Sequence, residues 1–277
     1  MARALPRYVS LAAALLAAVV ILFPIYWVFV SSIVPTATVL SRDPPLLPPL
    51  AQATLDAYLA VFARKPVLTW LLNSTLVTAG SVALALAISL LAGYSLSRFS
   101  TRGQQAAGFV LLLSKMLPPT LIVIPFFIMF TSFGLIDSLW GLVLANAAVG
   151  VPFASWLLKG FFDGIPHELE QAAMIDGCSE IGAMWRITLP LARPGVAASA
   201  VYLAIVTWAD FVFARTLVSR PDNWLLTVGI QSFVSEHAVD WSMLMAAGSL
   251  SLVPVLVMFL LLEPFLVSGM TQGAVTS

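Results

Sequence analysis

Six apolar segments account for most of this 277-residue sequence: about 9–33, 68–94, 106–130, 139–160, 195–216 and 242–268. A helix rises about 1.5 Å per residue and the hydrocarbon core of a bilayer is roughly 30 Å thick, so about 20 apolar residues make one crossing. Each segment is long enough. The chain is 60% hydrophobic and 9% charged, whereas ordinary soluble domains carry about 25% charged residues. Its apolar surface cannot be hidden in one water-soluble core. The expectation is an all-α membrane protein whose six transmembrane helices form a single domain over 1–277.

The first segment could pass for a secretory signal, because Arg3 and Arg7 precede it. It runs from Val9 to Val30, longer than the roughly 7–15 residues of a signal's apolar core, with no small-residue cleavage site after it, so it reads as a retained span. Six crossings place both termini on one side. That side holds Arg3, Arg7, Arg98, Arg102, Lys159, Arg186 and Arg193, and the other holds Arg42, Arg64, Lys65, Arg215 and Arg220. The excess favours cytoplasmic termini and a cytoplasmic 161–194 loop. The 34–67 loop then faces outward, and Pro44, Pro45, Pro48 and Pro49 fit an extended surface segment. Tyr8, Trp27, Trp70, Tyr94, Trp140, Trp156 and Trp241 stand near span ends, where amphipathic rings prefer the two interfaces. Zero formal net charge argues against a nucleic-acid surface. A single cysteine, Cys178, excludes an intramolecular disulfide or a cysteine metal cluster and reads as a small buried residue.

Residues 168–195, ELEQAAMIDGCSEIGAMWRITLPLARPG, interrupt the apolar pattern. Pro166 suits the first turn of a short helix, and Glu168 and Glu170 fall near the positive end of its dipole. Gln171 to Ile175 continue it, and Gly177 stops it. A second helix starts near Ser179 and runs to Leu189, with Pro190 ending it. The product is a helix–turn–helix elbow in which Ala172, Ala173 and Gly177 let another surface approach closely. Lipid-facing chain has no use for such an elbow; a membrane protein worked by a water-soluble partner does.

The elbow resembles the cytoplasmic loop of permease subunits of binding-protein-dependent ABC importers: E-A-A, three residues, Gly, nine residues, Ile, one residue, Leu-Pro. The matching positions are Gln171, Ala172, Ala173, Gly177, Ile187, Leu189 and Pro190, with Asp176 before the glycine and Pro194-Gly195 after. The family's leading glutamate is Gln171 here, which puts a salt bridge from that position in question and leaves Glu170 or Glu168 to substitute. FGLIDSLWGLVLAN (133–146), TWADF (207–211, with Ala209 where Asn is more usual) and GMTQGAVTS (269–277) resemble the MalG-type branch of carbohydrate permeases. The resemblance implies a type I importer permease fold in the bacterial plasma membrane. The loop between spans four and five would be a coupling helix gripped by an ATPase dimer. A second, MalF-like permease and an extracytoplasmic solute-binding protein would complete the assembly, and the solute would be sugar-like. The chain has no G-x-x-x-x-G-K-[ST] loop and no Gly-Lys dipeptide, so ATP and Mg would belong to the ATPase.

Besides Lys159, Arg215 and Glu263 toward the span ends, two charges fall inside expected spans. Lys115 precedes the Pro118-Pro119 kink of span three, and Asp210 lies toward the outer part of span five. A charge at bilayer depth must face protein or water, so both are candidates for the translocation pathway, Asp210 also as a partner for Lys115. An intramembrane enzyme is disfavoured: His167 and His237 fall in loops, position 171 breaks any H-E-x-x-H zinc pair, and there is no G-x-S-x-G elbow. No catalytic or metal-binding residue is expected. The remaining alternative is a secondary transporter or channel subunit not driven by ATP, for which internal repeats and a richer set of intramembrane charges would be expected.

Overall fold

The computed structural model describes residues 4–43, 46–47, 50–234 and 239–273, and the side chains of these outside 4–7, 50 and 261–273. The four prolines of the expected outer loop, His237 and the end of the 269–277 tail lie outside the described residues. The named elements among the described residues are helices, and Val234 and Val239 form an isolated antiparallel bridge. The principal helices are α1 (Ala4–Ile33), α2 (Asp56–Arg64), α3 (Val67–Arg98), α4 (Arg102–Ser114), α5 (Pro119–Ser132), α6 (Leu139–Asp163), α7 (Glu168–Ile175), α8 (Glu180–Leu191), α9 (Arg193–Trp208), α10 (Val212–Leu217), α11 (Leu226–Gln231) and α12 (Trp241–Gly273). Among the described residues α1, α3, α6 and α12 are each long and apolar enough to cross a bilayer. The pairs α4–α5 and α8–α9 are bent by 106° and 77°, and by length and composition each pair can count as one crossing, which brings the number to six; α8 belongs to the polar 168–195 stretch, so the apolar part of that fifth crossing is α9.

Span three is therefore not one kinked rod over 106–130. Thr101 and Gln104 form a capping box that starts α4, and Lys115 closes it with its N–H on Leu112 O at 3.1 Å. Pro118 is extended (φ −67°, ψ 140°) and Pro119 opens α5. A residue before proline is pushed out of the helical region, and two prolines in a row supply no donors to carry the ladder across. Span five is likewise interrupted. α9 ends at Trp208 and α10 begins at Val212. The outer segment expected as an extended loop over 34–67 contains α2, with Asp56 in its first turn and Arg64 in its last, where each charge complements the helix dipole.

The chain divides into two compact units, one made of residues up to Leu68 with Gly229–Val253, the other of Thr69–Val228 with the chain from Pro254 onward. In the first, the Tyr58 hydroxyl lies 2.7 Å from both Ser32 Oγ and Ser249 Oγ. In the second, α6 is the central helix. Its residues Leu142, Val143 and Ala145 pack with Val77, Phe130, Phe213 and Leu217. Ala85, Ala147, Ala154 and Leu203 form a seam of mostly small residues, which in lipid lets helix backbones approach closely where no hydrophobic force drives them together. Tyr94, Leu158, Phe162, Met184 and Ala192 form a third cluster that includes a residue of α8. Two aromatics expected at the membrane interfaces are structural instead. Trp70 is buried with its indole N–H on Pro221 O at 3.3 Å, and Tyr94 is buried against Phe162.

Candidate functional site

The elbow is built by local chemistry. α7 starts two residues after Pro166 with Glu168 and Glu170 in its first turn. At its end Gly177 takes φ +94°, a left-handed conformation that a side chain disfavours. Cys178 N–H then donates to Ala173 O and Gly177 N–H to Met174 O, both at 3.0 Å, the two reversed bonds of a Schellman motif. Ser179 Oγ accepts from Gly182 N at 3.1 Å and starts α8. Pro190 does not end this helix, contrary to expectation. Met184–Thr188 form a π-helical turn in which Leu189 N–H donates to Met184 O. The wider turn relieves the crowding a proline imposes on the carbonyl four residues back. Bonding resumes with Ala192 N–H on Thr188 O at 2.9 Å, so the helix runs to Leu191 and bends at Ala192.

The outer surface of the elbow is polar and apolar in turn. Glu168, Gln171, Ala172, Asp176 and Gly177 are exposed, as are Leu169, Ile175, Ile181 and Trp185, with Ile175 at 87%. Ala173 is buried, and Ile187, Leu189 and Pro190 are half-buried. Cys178, expected to be buried, is partly exposed.

Glu170 corrects the expectation that it could stand in for the missing glutamate at 171, because its side chain is 1% exposed and turned inward. Arg98 Nε donates to Glu170 Oε1 at 2.8 Å and Arg98 Nη2 lies 2.7 Å from the same oxygen. The Tyr94 hydroxyl donates to Oε2 at 2.8 Å, Thr188 Oγ1 donates to Oε1, and His167 Nδ1 stands 3.5 Å from Oε2. Arg98 also donates to the carbonyls of Phe162 (3.0 Å) and Ile165 (3.1 Å), at and just beyond the end of α6. Burial alone would raise the Glu170 pKa, but the hydrogen bonds from Arg98, Thr188 and Tyr94, with the Arg98 charge, hold it below the ordinary carboxylate value.

Lys115 and Asp210 are not paired: no ion pair joins them among the described residues. Lys115 Nζ donates to Val149 O at 3.2 Å. It also lies 5.9 Å from the Phe153 ring centroid and 5.7 Å from that of Tyr202, two rings whose own centroids are 4.0 Å apart. Asp210 Oδ1 accepts from Phe213 N and Oδ2 from Ala214 N, each at 3.2 Å, and Asn146 Nδ2 donates to Oδ2 at 3.3 Å. Asp210 thus caps α10, restarting the ladder after the break in span five.

Residues 85–271, more than half of the chain, match the family of binding-protein-dependent transport system inner membrane components. The chain belongs to this family. It is 33% identical over 259 residues to the inner membrane ABC transporter permease protein YcjP of Escherichia coli (strain K12), covering 93% of this chain and 92% of the relative. It is 30% identical over 271 residues to the diacetylchitobiose uptake system permease protein NgcG of Streptomyces coelicolor, covering 96% and 89%. Its fold is shared with a chain in the crystal structure of a bacterial ABC transporter involved in the import of the acidic polysaccharide alginate, at TM-score 0.79 and 24% identity over 93% of this chain and 96% of that one. It is thus a multi-pass permease subunit of an ABC importer.

Within this permease, several site residues escaped sequence reading. Arg98 counts in the sequence only toward charge bias and Tyr94 only as an interface aromatic, whereas together they hold the elbow. Phe153 and Tyr202 carry no sequence signal. Asp137 lies inside the family-like run 133–146 without being singled out. It takes φ 57°, its Oδ1 accepts from Ser219 N (2.6 Å) and Arg220 N (2.9 Å), and its carbonyl accepts from Asn223 Nδ2 at 2.6 Å.

Proposed function

We propose that this permease is one of two membrane subunits of an ATP-driven importer for a sugar or related polyol. It sits in the bacterial plasma membrane with both termini and the elbow in the cytoplasm. The observation that carries the reading is the 168–191 elbow, a Schellman-closed turn that keeps Leu169, Ile175, Ile181 and Trp185 on its outside. Isolated exposed apolar residues are ordinary, but Leu169 and Ile175 of α7 and Ile181 and Trp185 of α8 are exposed on a polar elbow outside the long apolar segments, where a partner rather than lipid would cover them. The chain has no phosphate-binding loop of its own, so an ATPase dimer holding ATP and Mg is the partner that fits. Its closure would move Glu168, Gln171, Ala172, Ala173, Asp176 and Gly177 as one body.

A MalF-like second permease would complete the pathway, and an extracytoplasmic solute-binding protein would deliver the solute. A sugar is favoured because the NgcG relative is named for diacetylchitobiose uptake. The cluster at the break in span three supports it: Lys115 beside the paired Phe153 and Tyr202 rings combines a cationic donor with apolar surface, the chemistry that suits a sugar-like solute. Asp210, committed to capping α10 and bonded to Asn146, would act by shaping the break in span five.

The test is reconstitution of the full assembly in proteoliposomes. Solute uptake should require ATP on the face that carries the elbow and the binding protein on the opposite face, and should persist when ion gradients are collapsed. Uptake without ATP, driven by an ion gradient, would replace this reading with that of a secondary transporter.

A further inference from the structure

The elbow is joined covalently to α6 through residues 164–167 and to α9 through Ala192, but it has no chain connection to α3. Besides the apolar packing of Tyr94 with Met184, the polar tie between them is Glu170. Its carboxylate, 72 residues from Arg98 in sequence, receives the guanidinium from the end of α3, the Tyr94 hydroxyl one turn earlier and the Thr188 hydroxyl from the π turn of α8. The same guanidinium reaches the Phe162 and Ile165 carbonyls. One carboxylate and one guanidinium therefore join α3, the end of α6, α7 and α8 at a single buried point. Buried charges are kept in place by partners on every side, and removing one partner leaves the other uncompensated.

We infer that Glu170 is a positioning residue that carries displacement of the elbow to the cytoplasmic end of α3, so that α3, α6 and the elbow move together when the ATPase closes. This rests on the importer reading above. The acidic residue beside the family-type motif is then an internal strut. Contact with the ATPase falls to the exposed residues around it.

The experiment uses the reconstituted complete importer and reads solute molecules imported per ATP hydrolysed, with each variant normalised to assembled complex. Glu170→Gln keeps the shape and removes the charge. The expected result is a fall in the uptake-to-hydrolysis ratio of about tenfold, the size of a typical coupling between sites. Arg98→Gln should give the same fall, and the double variant no further one, because the two act as a unit. If Glu170→Gln does not assemble, Tyr94→Phe and Thr188→Val each remove one donor with little change of shape and should lower the ratio about two- to threefold. An unchanged ratio in assembled Glu170→Gln, or losses that add in the double variant, overturns the inference. These outcomes are separate from failure of the importer reading, which would appear as wild-type assembly that does not couple uptake to ATP at all.

Discussion

Adjacent side chains on one short helix have opposite fates here: Gln171 is exposed and Glu170 is buried. On a helix, neighbours in sequence point about 100° apart, so one faces any partner and the other faces the fold. That difference explains why the elbow's existence is legible in the sequence while the duty of each carboxylate is not. The motif spacing identifies Gly177 as a stop, and its left-handed φ of +94° gives the reason. The inward direction of Glu170 depends on Arg98 and Tyr94, which belong to a distant segment.

Two outcomes follow at this scale. Because the Glu170 pKa is held below its ordinary value, its contribution to stability is full above the ordinary carboxylate range and is lost as pH falls through the lowered value. The Tm difference between the wild-type complex and Glu170→Gln should therefore be fully present at neutral pH and shrink once the pH falls below the ordinary Glu value of about 4.3. A difference that grows on acidification would contradict the assigned direction. At Gly177 a Cβ would meet no atom of this chain within 4 Å, so within the chain substitution acts through backbone strain. Gly177→Val should cost roughly 1–2 kcal/mol and loosen the elbow, read as lower uptake per ATP hydrolysed, whereas Gly177→Asn, which tolerates left-handed backbone, should retain most of it.

The helices separate what apolar length reveals from what capping and proline chemistry conceal. α1, α3, α6 and α12 cover four of the expected segments because long apolar runs have one solution in lipid. The interruption of the other two follows from particular residues: Pro118-Pro119 splits the third segment, and the fifth stops at Trp208 before Asp210 caps the next turn. A proline pair signals a kink in the sequence, but the angle of 106° is set by packing. The α2 helix was hidden because its nine residues DAYLAVFAR are too short for a span and follow a proline-rich stretch.

Asp137 shows how neighbouring helix ends are held. Its carboxylate fastens the chain after α10 to the turn before α6, and its backbone N–H donates to Leu217 O at 2.9 Å. The two bonds to the carboxylate are solvent-exposed and contribute about 1 kcal/mol each, and Asp tolerates the left-handed region better than Ala. Asp137→Ala should therefore lower the stability of the purified complex by about 2–3 kcal/mol, read as a drop in Tm, with Asp137→Asn losing about half as much because it keeps an acceptor. Equal effects of the two would show that the carboxylate is not the fastening.

For the molecule as a whole, the class and the number of apolar segments were legible, because composition leaves few alternatives to a bilayer. Orientation was less so. Seven basic residues against five is a small difference, and several of those residues have structural duties. Arg98 is committed to Glu170 and the end of α6, so its place in the count reflects packing as much as membrane side. Orientation is better decided by a reporter in the elbow itself, and the chain supplies one. Cys178 is its single cysteine and is partly exposed at the turn. A membrane-impermeant maleimide should leave this chain unlabelled in intact cells and label it in inside-out vesicles, with Cys178→Ser as the blank. Addition of the ATPase pair to stripped inside-out vesicles should slow the labelling, because Ile175, Ile181 and Trp185 on the same elbow would be covered. Labelling from outside intact cells would put the elbow on the wrong side of the membrane for any cytoplasmic motor to grip.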